Sequence, residues 1–266
     1  MTPPRARRLP ISRRWWVCCV VALATTGCTA TGAATPQAAD PVPEPPATGS
    51  ATPAATPIRP AGDPRATPTL AATHLVAEDR RTGAELDAPF AVSGTVVVSK
   101  DHRISATHVP SWSTEPHGIH PEARQAFGRM AQAAAEDGRI LKIRSGYRSF
   151  AAQKISFERA LRTYDDAVAR RYFAEPGASE HQTGLAVDAW DGVNRGAAFT
   201  ATHEAQWLAS RAHEFGFIIR YPQGKTAITG VAHESWHLRW VGPEIAADFG
   251  PNSTLTLEEY LGLVQR

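Results

Sequence analysis

The alternation of apolar and polar positions predicts a chain in which short strands and helices take turns. Residues 95–99 (TVVVS) form a short β-branched run of strand type. Pro121 stands at a first-turn position and opens a helix in which Ala123, Phe127, Met130 and Ala134 recur at helical spacing, and Gly138 closes it. Residues 140–143 read as a strand leading into SGYRS (145–149). Ser149 then caps a helix over about 150–164 with Phe157 and Leu161 on its inner face. A further helix covers 166–173, and 184–190 alternates as a strand. Residues 203–215 form a helix that buries Trp207, Leu208 and Ala212 and stops at Gly216. Strands follow at 217–221 and 236–241, and a closing helix at 257–264 is capped by Thr256. This mixed order of short elements, with no internal repeat, predicts an α+β fold: a small mixed or antiparallel sheet with flanking helices, not a doubly wound parallel sheet.

Composition divides the chain into three. Of the 44 residues at 29–72, 31 are Pro, Ala or Thr and none is Phe, Trp or Tyr, so this stretch builds no core and reads as an extended linker. Before it, residues 1–28 carry five arginines, no acid, and an apolar run from Trp15 to about Ala24. That run falls short of the ~20 residues a membrane span needs and suits the apolar region of an export signal. Thr25-Thr26-Gly27-Cys28 resembles a bacterial lipobox, with Cys28 as the lipidated residue, although Thr25 replaces the usual Leu. The folded part is then 73–266, expected outside the cytoplasm and anchored to the outer face of the membrane, or secreted if the signal is simply cleaved.

Two classes of partner and ligand are set aside by counting. Without residues 1–27 the chain has 23 basic against 26 acidic groups, so no basic surface for nucleic acid is expected. No cysteine follows Cys28, which leaves neither a disulfide framework nor a thiolate metal site. Any metal must be held by imidazole and carboxylate.

Two stretches concentrate such groups. In SEHQTGLAVD (179–188) a His and an Asp lie seven apart and can converge if the chain turns at Gly184 and runs back as a strand. HESWH (233–237) supplies further imidazoles and a carboxylate. One His and one carboxylate from the first stretch plus a His from the second would make a three-ligand site with an open fourth position, the catalytic pattern for zinc. HESWH also matches the H-E-x-x-H pattern of helical zinc proteases formally. Its surroundings are those of a strand, with Gly230 before it, Trp236 and Trp240 within or after it, and Pro243 soon after.

SGYRS, SEHQTGLAVD and E-x-W-H, in that order, resemble the VanY-type D-alanyl-D-alanine carboxypeptidases of zinc peptidase family M15, which share a core with VanX dipeptidases and the hedgehog signalling domain. The resemblance runs over about 97–261 and takes in SKDHRI (99–104), RYPQGK (220–225), AITG (227–230) and TLEEYL (256–261). It implies one zinc per chain held by His181, Asp188 and His237, with Glu234 as general base and Arg148 stabilising the oxyanion. It also implies a substrate pocket lined by Ser179, Gln153 and Tyr147, with Ser145 a further candidate. The final motif departs from the family's Y-E-P-W-H, with His233 in place of Tyr and Ser235 in place of Pro. The expected activity is removal of the terminal D-alanine from peptidoglycan stem peptides by a monomeric enzyme. Two rivals stand beside it: an L,D-carboxypeptidase acting on tetrapeptide stems, and a non-catalytic wall-binding module that keeps zinc as a staple. The remaining histidines, among them His102 and His120, are expected at the surface or in loops, and Trp190, Trp207, Trp236 and Trp240 in the core.

Overall fold

The computed structural model describes residues 78–264. The expected export signal (1–28), Cys28 and the linker (29–72) lie outside the described residues. Those described begin with a one-turn helix at Gly83–Asp87, followed by a two-stranded hairpin, β1 (Phe90–Val92) and β2 (Thr95–Val97). Then come α1 (Pro121–Glu136), β3 (Lys142–Ser145), α2 (Phe150–Thr163), α3 (Asp166–Tyr172), β4 (Ala186–Trp190), α4 (Ala197–Thr200) and α5 (His203–Arg211). The chain ends with β5 (Phe217–Tyr221), α6 (Thr226–Thr229), β6 (Glu234–Trp240), α7 (Pro243–Phe249) and α8 (Leu257–Tyr260). The main sheet has the order β3-β4-β6-β5 and every pairing in it is antiparallel. The fold is α+β, as the patterning predicts. No helix among the described residues is long and apolar enough to cross a membrane.

The sheet has two chemically different faces. Val187 and Ala189 of β4, Trp236 and Leu238 of β6, and Phe217 of β5 enter one core cluster with Ala123, Phe127, Met130 and Ala134 of α1 and Leu208 of α5. Successive strand residues point to opposite faces, so Asp188, His237, Arg239, Ile218 and Arg220 face the other way. There Ile218 packs with Ala246, Phe249 and Leu257 in a second cluster. The space between those apolar residues and β3 is left to polar groups.

Several elements differ from expectation. The strand expected at 95–99 is observed over Thr95–Val97, in the separate hairpin and not the main sheet. Leu161 is 38% exposed; α2 instead buries Gln153, Phe157 and Ala160, the last two against Ala169 and Phe173. The expected helix 203–215 changes at Ala212 into a tighter 3-10 turn that ends on Gly216 at φ +85°. The closing helix is a single turn, fixed at its start by a Thr256–Glu259 capping box, with Gly262 at φ +68° beyond it. His102 and His120 lie in loops, as expected, and are half-buried on rings: His102 stacks on Phe90 and His120 on Trp240. Trp207 and Trp236 are buried, while Trp190 and Trp240 are half-buried.

Candidate metal centre and active site

Asp188 sits in the middle of β4, paired in register with Ser145 of β3 and His237 of β6. The third group arrives from a 3-10 turn, Glu180–Thr183, that precedes β4. Gly184 makes the turn back at φ +69°, and a Cβ there would lie 2.5 Å from both the Gly118 carbonyl oxygen and Trp112 Nε1. Only glycine combines that backbone angle with so close an approach. His181 is thereby folded over the strand, with Nε2 3.3 Å from Asp188 Oδ2, while His237 Nδ1 lies 3.2 Å from Asp188 Oδ1.

Among the described residues, His181, Asp188 and His237 form the one group of three or more His, Cys, Asp or Glu able to hold a metal ion, with their donor atoms within 4.8 Å of one another. Their chemistry fits a borderline cation such as zinc, two imidazoles and a carboxylate with no thiolate. Asp188 Oδ1 is buried and makes no hydrogen bond, as an oxygen meant for a cation would. The tautomers are arranged as well. His181 Nδ1 donates to the Gly146 carbonyl oxygen at 2.6 Å; a carbonyl only accepts, so the proton is on Nδ1 and the Nε2 lone pair faces Asp188. Burial pushes the His181 imidazole below its ordinary value, which keeps it neutral.

Glu234 opens β6, buried, with Oε2 3.7 Å from His237 Nδ1. Burial pushes its carboxyl up to about 8; Asp188 adds to the rise, while His237 and Arg148 oppose it. His237 shifts the other way from a buried imidazole. Burial alone would lower it, but the carboxylates of Asp188, Glu180 and Glu234 around it raise it to about 9. A cation among these groups would reverse both shifts.

Arg148 leaves the end of β3 and brings Nη2 4.0 Å from Asp188 Oδ2. Its guanidinium donates to Gln153 Oε1 at 3.0 Å and to Ser145 Oγ at 3.2 Å. Gln153 is buried and donates its amide N–H to the Ala174 carbonyl oxygen, so both ends of its amide are engaged beneath Arg148. Ser179, also buried, precedes the 3-10 turn. Tyr147 is half-buried, with its backbone N–H donating to the His117 carbonyl oxygen and its side chain against Gly118. His233 precedes β6 and directs Nδ1 to the Tyr221 carbonyl oxygen at 2.8 Å, outside the donor group. HESWH from Glu234 onward is therefore strand, as its context predicts, and its two histidines do not act as a helical pair. Ser235, in the place of the family's proline, donates its hydroxyl to Thr200 Oγ1.

Beneath the donors lies a buried cluster that sequence reasoning missed. Glu180 Oε1 accepts from Arg220 Nε at 2.7 Å and from Arg239 Nη1 at 2.8 Å, and Glu258 takes both terminal nitrogens of Arg220 at 2.9 and 2.6 Å. All four residues are buried. Glu258 reads in the sequence as an acid in a remote amphipathic helix, but α8 delivers it to this site. A signal was present in FIIRY and HLRW, where an arginine stands inside an otherwise apolar strand.

Comparison with known proteins follows this geometry. The sequence model of the VanY family, described as D-alanyl-D-alanine carboxypeptidase, matches residues 116–243. A variant of the vancomycin-resistance D,D-pentapeptidase VanY, solved in complex with Zn(II), is 34% identical; the match covers 62% of this chain and 97% of that one with a TM-score of 0.53. The chain belongs to the VanY family. A D-alanyl-D-alanine carboxypeptidase of Enterococcus faecalis (strain ATCC 700802 / V583) is 40% identical over 142 residues, 50% of this chain and 51% of its own. The L,D-carboxypeptidase LdcB is 35% identical, with 63% of this chain and 85% of that one covered and a TM-score of 0.55. The chain spans about half the length of the curated relatives it matches at 40% identity or more.

Proposed function

We propose that this VanY-family chain is a zinc-dependent D-alanyl-D-alanine carboxypeptidase that removes the terminal D-alanine of peptidoglycan stem peptides. The observation that carries the reading is the buried His181–Asp188–His237 donor group with a carboxylate, Glu234, and a guanidinium, Arg148, at its rim. His181 Nε2, Asp188 and His237 Nδ1 would hold the one zinc. When bound, zinc supplies Lewis acidity, polarising the scissile carbonyl and making water acidic enough to react near neutral pH. Glu234 takes the proton of the attacking water and delivers it to the amine of the departing D-alanine. Arg148, held by Gln153 and Ser145, offers a fixed positive charge to the oxyanion that develops at the cleaved carbonyl. Gln153 thus serves the reaction through Arg148, while Ser179 and Tyr147 stand where the family lines its pocket.

The expected export signal, lipidation at Cys28 and the 29–72 linker would place a monomeric domain outside the cytoplasm, within reach of the wall from the membrane. A second reading has one specific observation in its favour: LdcB, an L,D-carboxypeptidase, matches at the same level of identity as VanY. The same residues would then act on the tetrapeptide stem.

The test measures free D-alanine released from pentapeptide and tetrapeptide stems by the full chain, before and after zinc is removed and restored. Metal-dependent release from the pentapeptide supports the proposal, and release from the tetrapeptide alone moves the assignment to L,D-cleavage. Glu234→Gln is expected to lower turnover by ~10²–10⁴-fold while zinc stays bound. A chain that binds wall peptides without cleaving either, and is indifferent to Glu234→Gln, is a zinc-stapled binding module.

A further inference from the structure

Imidazole can meet a metal through either nitrogen, and which one it offers depends on where its other nitrogen is bonded. For His181 the Gly146 carbonyl settles the matter. For His237 the corresponding partner is Glu180 Oε2, 3.5 Å from Nε2 and near the outer limit of a hydrogen bond. Glu180 is completely buried and could not hold this position unsupported, since a lone buried carboxylate is costly. Its other oxygen is fixed by the two arginines from neighbouring strands. Arg220 is fixed in turn by Glu258 of α8, and Arg239 Nη2 donates to the Val96 carbonyl oxygen of β2 at 2.6 Å. Glu180, Glu258, Arg220 and Arg239 carry two charges of each sign, so the cluster supplies orientation rather than net field. Val96 and Glu258 both lie outside residues 116–243, the span matched by the family model.

We infer that Glu180 is a positioning residue for His237: it accepts from Nε2–H, so that the Nδ1 lone pair faces Asp188 and the metal, and Arg220 and Arg239 hold it there. This rests on the metal-binding part of the proposed function and not on the peptide cleaved.

Substituting Glu180→Gln tests the inference by direction of hydrogen bonding. Both arginines only donate, so the amide oxygen must turn to them, and the amide NH2 is left facing His237 Nε2. That arrangement favours the tautomer with the proton on Nδ1, which cannot ligate through that atom. The control is Glu258→Gln, which sets an amide against Arg220 and damages the same cluster without touching His237. Zinc affinity is read by competition with a chromogenic chelator, in buffer alkaline enough that protons compete little at His237. We expect Glu180→Gln to weaken zinc binding by ~10–100-fold, the effect found when a partner of a metal-ligating histidine is lost. Glu258→Gln should lower the thermal midpoint and leave zinc affinity within about threefold of the parent, well short of that loss. Equal zinc affinity in Glu180→Gln and the parent overturns the inference, as does an equal loss in both variants. Should Glu180→Gln not fold, the 15N spectrum of the zinc-loaded parent decides. A directly bonded proton on His237 Nε2 supports the inference, and coordination through Nε2 sinks it. Neither readout uses D-alanine release, so a failure of the substrate assignment leaves this test intact.

Discussion

Loading the metal-free protein with zinc at different pH values probes the electrostatics of the site directly. Without metal, the Glu234 carboxyl is pushed by burial to about 8, and His237 is held by Asp188, Glu180 and Glu234 at about 9, against an ordinary 6.5. At pH 7 both therefore carry protons. A ligating imidazole must be neutral, so binding has to expel the proton of His237. Over the two units between pH 7 and about 9, one obligatory proton weakens apparent affinity by ~100-fold, or about 2.7 kcal/mol at 1.36 kcal/mol per unit. A dication beside Glu234 also favours its ionised form, which adds a second, smaller dependence below pH 8. The assay is titration calorimetry in buffers of different ionisation enthalpy. Between about one and two protons should be released per zinc at pH 7, falling towards zero above about pH 9. The same shifts carry a stability sign. Both groups hold protons in the folded state that the unfolded chain gives up, Glu234 from an ordinary 4.5 and His237 from 6.5. Their contribution is fully present below those ordinary values and is lost as pH rises through about 8 and about 9. The metal-free thermal midpoint should therefore decline across that range. Zinc affinity that is flat from pH 6 to 9 with no proton release would refute the reasoning.

Other expectations follow from single contacts. Arg148→Met removes the charge proposed to meet the oxyanion and should lower kcat by ~10²–10³-fold with zinc still bound, as steady-state kinetics and metal analysis will read. Gln153→Leu removes one of the guanidinium's buried acceptors, with Ser145 Oγ remaining; it should cost about 1.5–3 kcal/mol in thermal unfolding and slow turnover less than Arg148→Met does. Gly184→Ala meets both the positive φ and the 2.5 Å approaches to Gly118 and Trp112, and the left-handed backbone alone costs about 1–2 kcal/mol. Its unfolding midpoint should fall and its zinc affinity with it, because this turn sets His181 over Asp188; unchanged stability would sink that account.

Local elements were legible where periodicity and punctuation agreed. Pro121, four apolar residues at helical spacing and Gly138 bound α1 to within two residues of its observed end. FIIRY is strand along its whole length, and Ser149 caps α2 through a hydrogen bond from the Ala152 N–H. What the sequence could not supply was pairing between distant segments. Nothing in 179–188 or 233–237 specifies that Asp188 stands opposite His237, because that register is set by hydrogen bonds between strands 49 residues apart. The buried charges were hidden for another reason. Arg, Glu and Asp are nearly always exposed, so Glu258 in an amphipathic turn and Arg220 in a strand each have an ordinary surface reading. Only together, with Glu180 between the arginines, do they make sense as interior residues.

The two faces of the sheet explain how an apolar core can determine the geometry of a polar site. A shift of one residue in strand pairing would send every side chain to the opposite face. For β6, such a shift would put His237 and Arg239 against α1 and α5, and Trp236 and Leu238 among the charges. Burial of Leu238, Val187 and Phe217, all fully enclosed, disfavours that slip, at about 1.5–3 kcal/mol for each large apolar side chain. The register that saves those contacts is also the one that sets Asp188 opposite His237. Precision among the donors is thus inherited from packing on the far face. The charged cluster beneath adds what packing cannot, the choice of which imidazole nitrogen faces the metal.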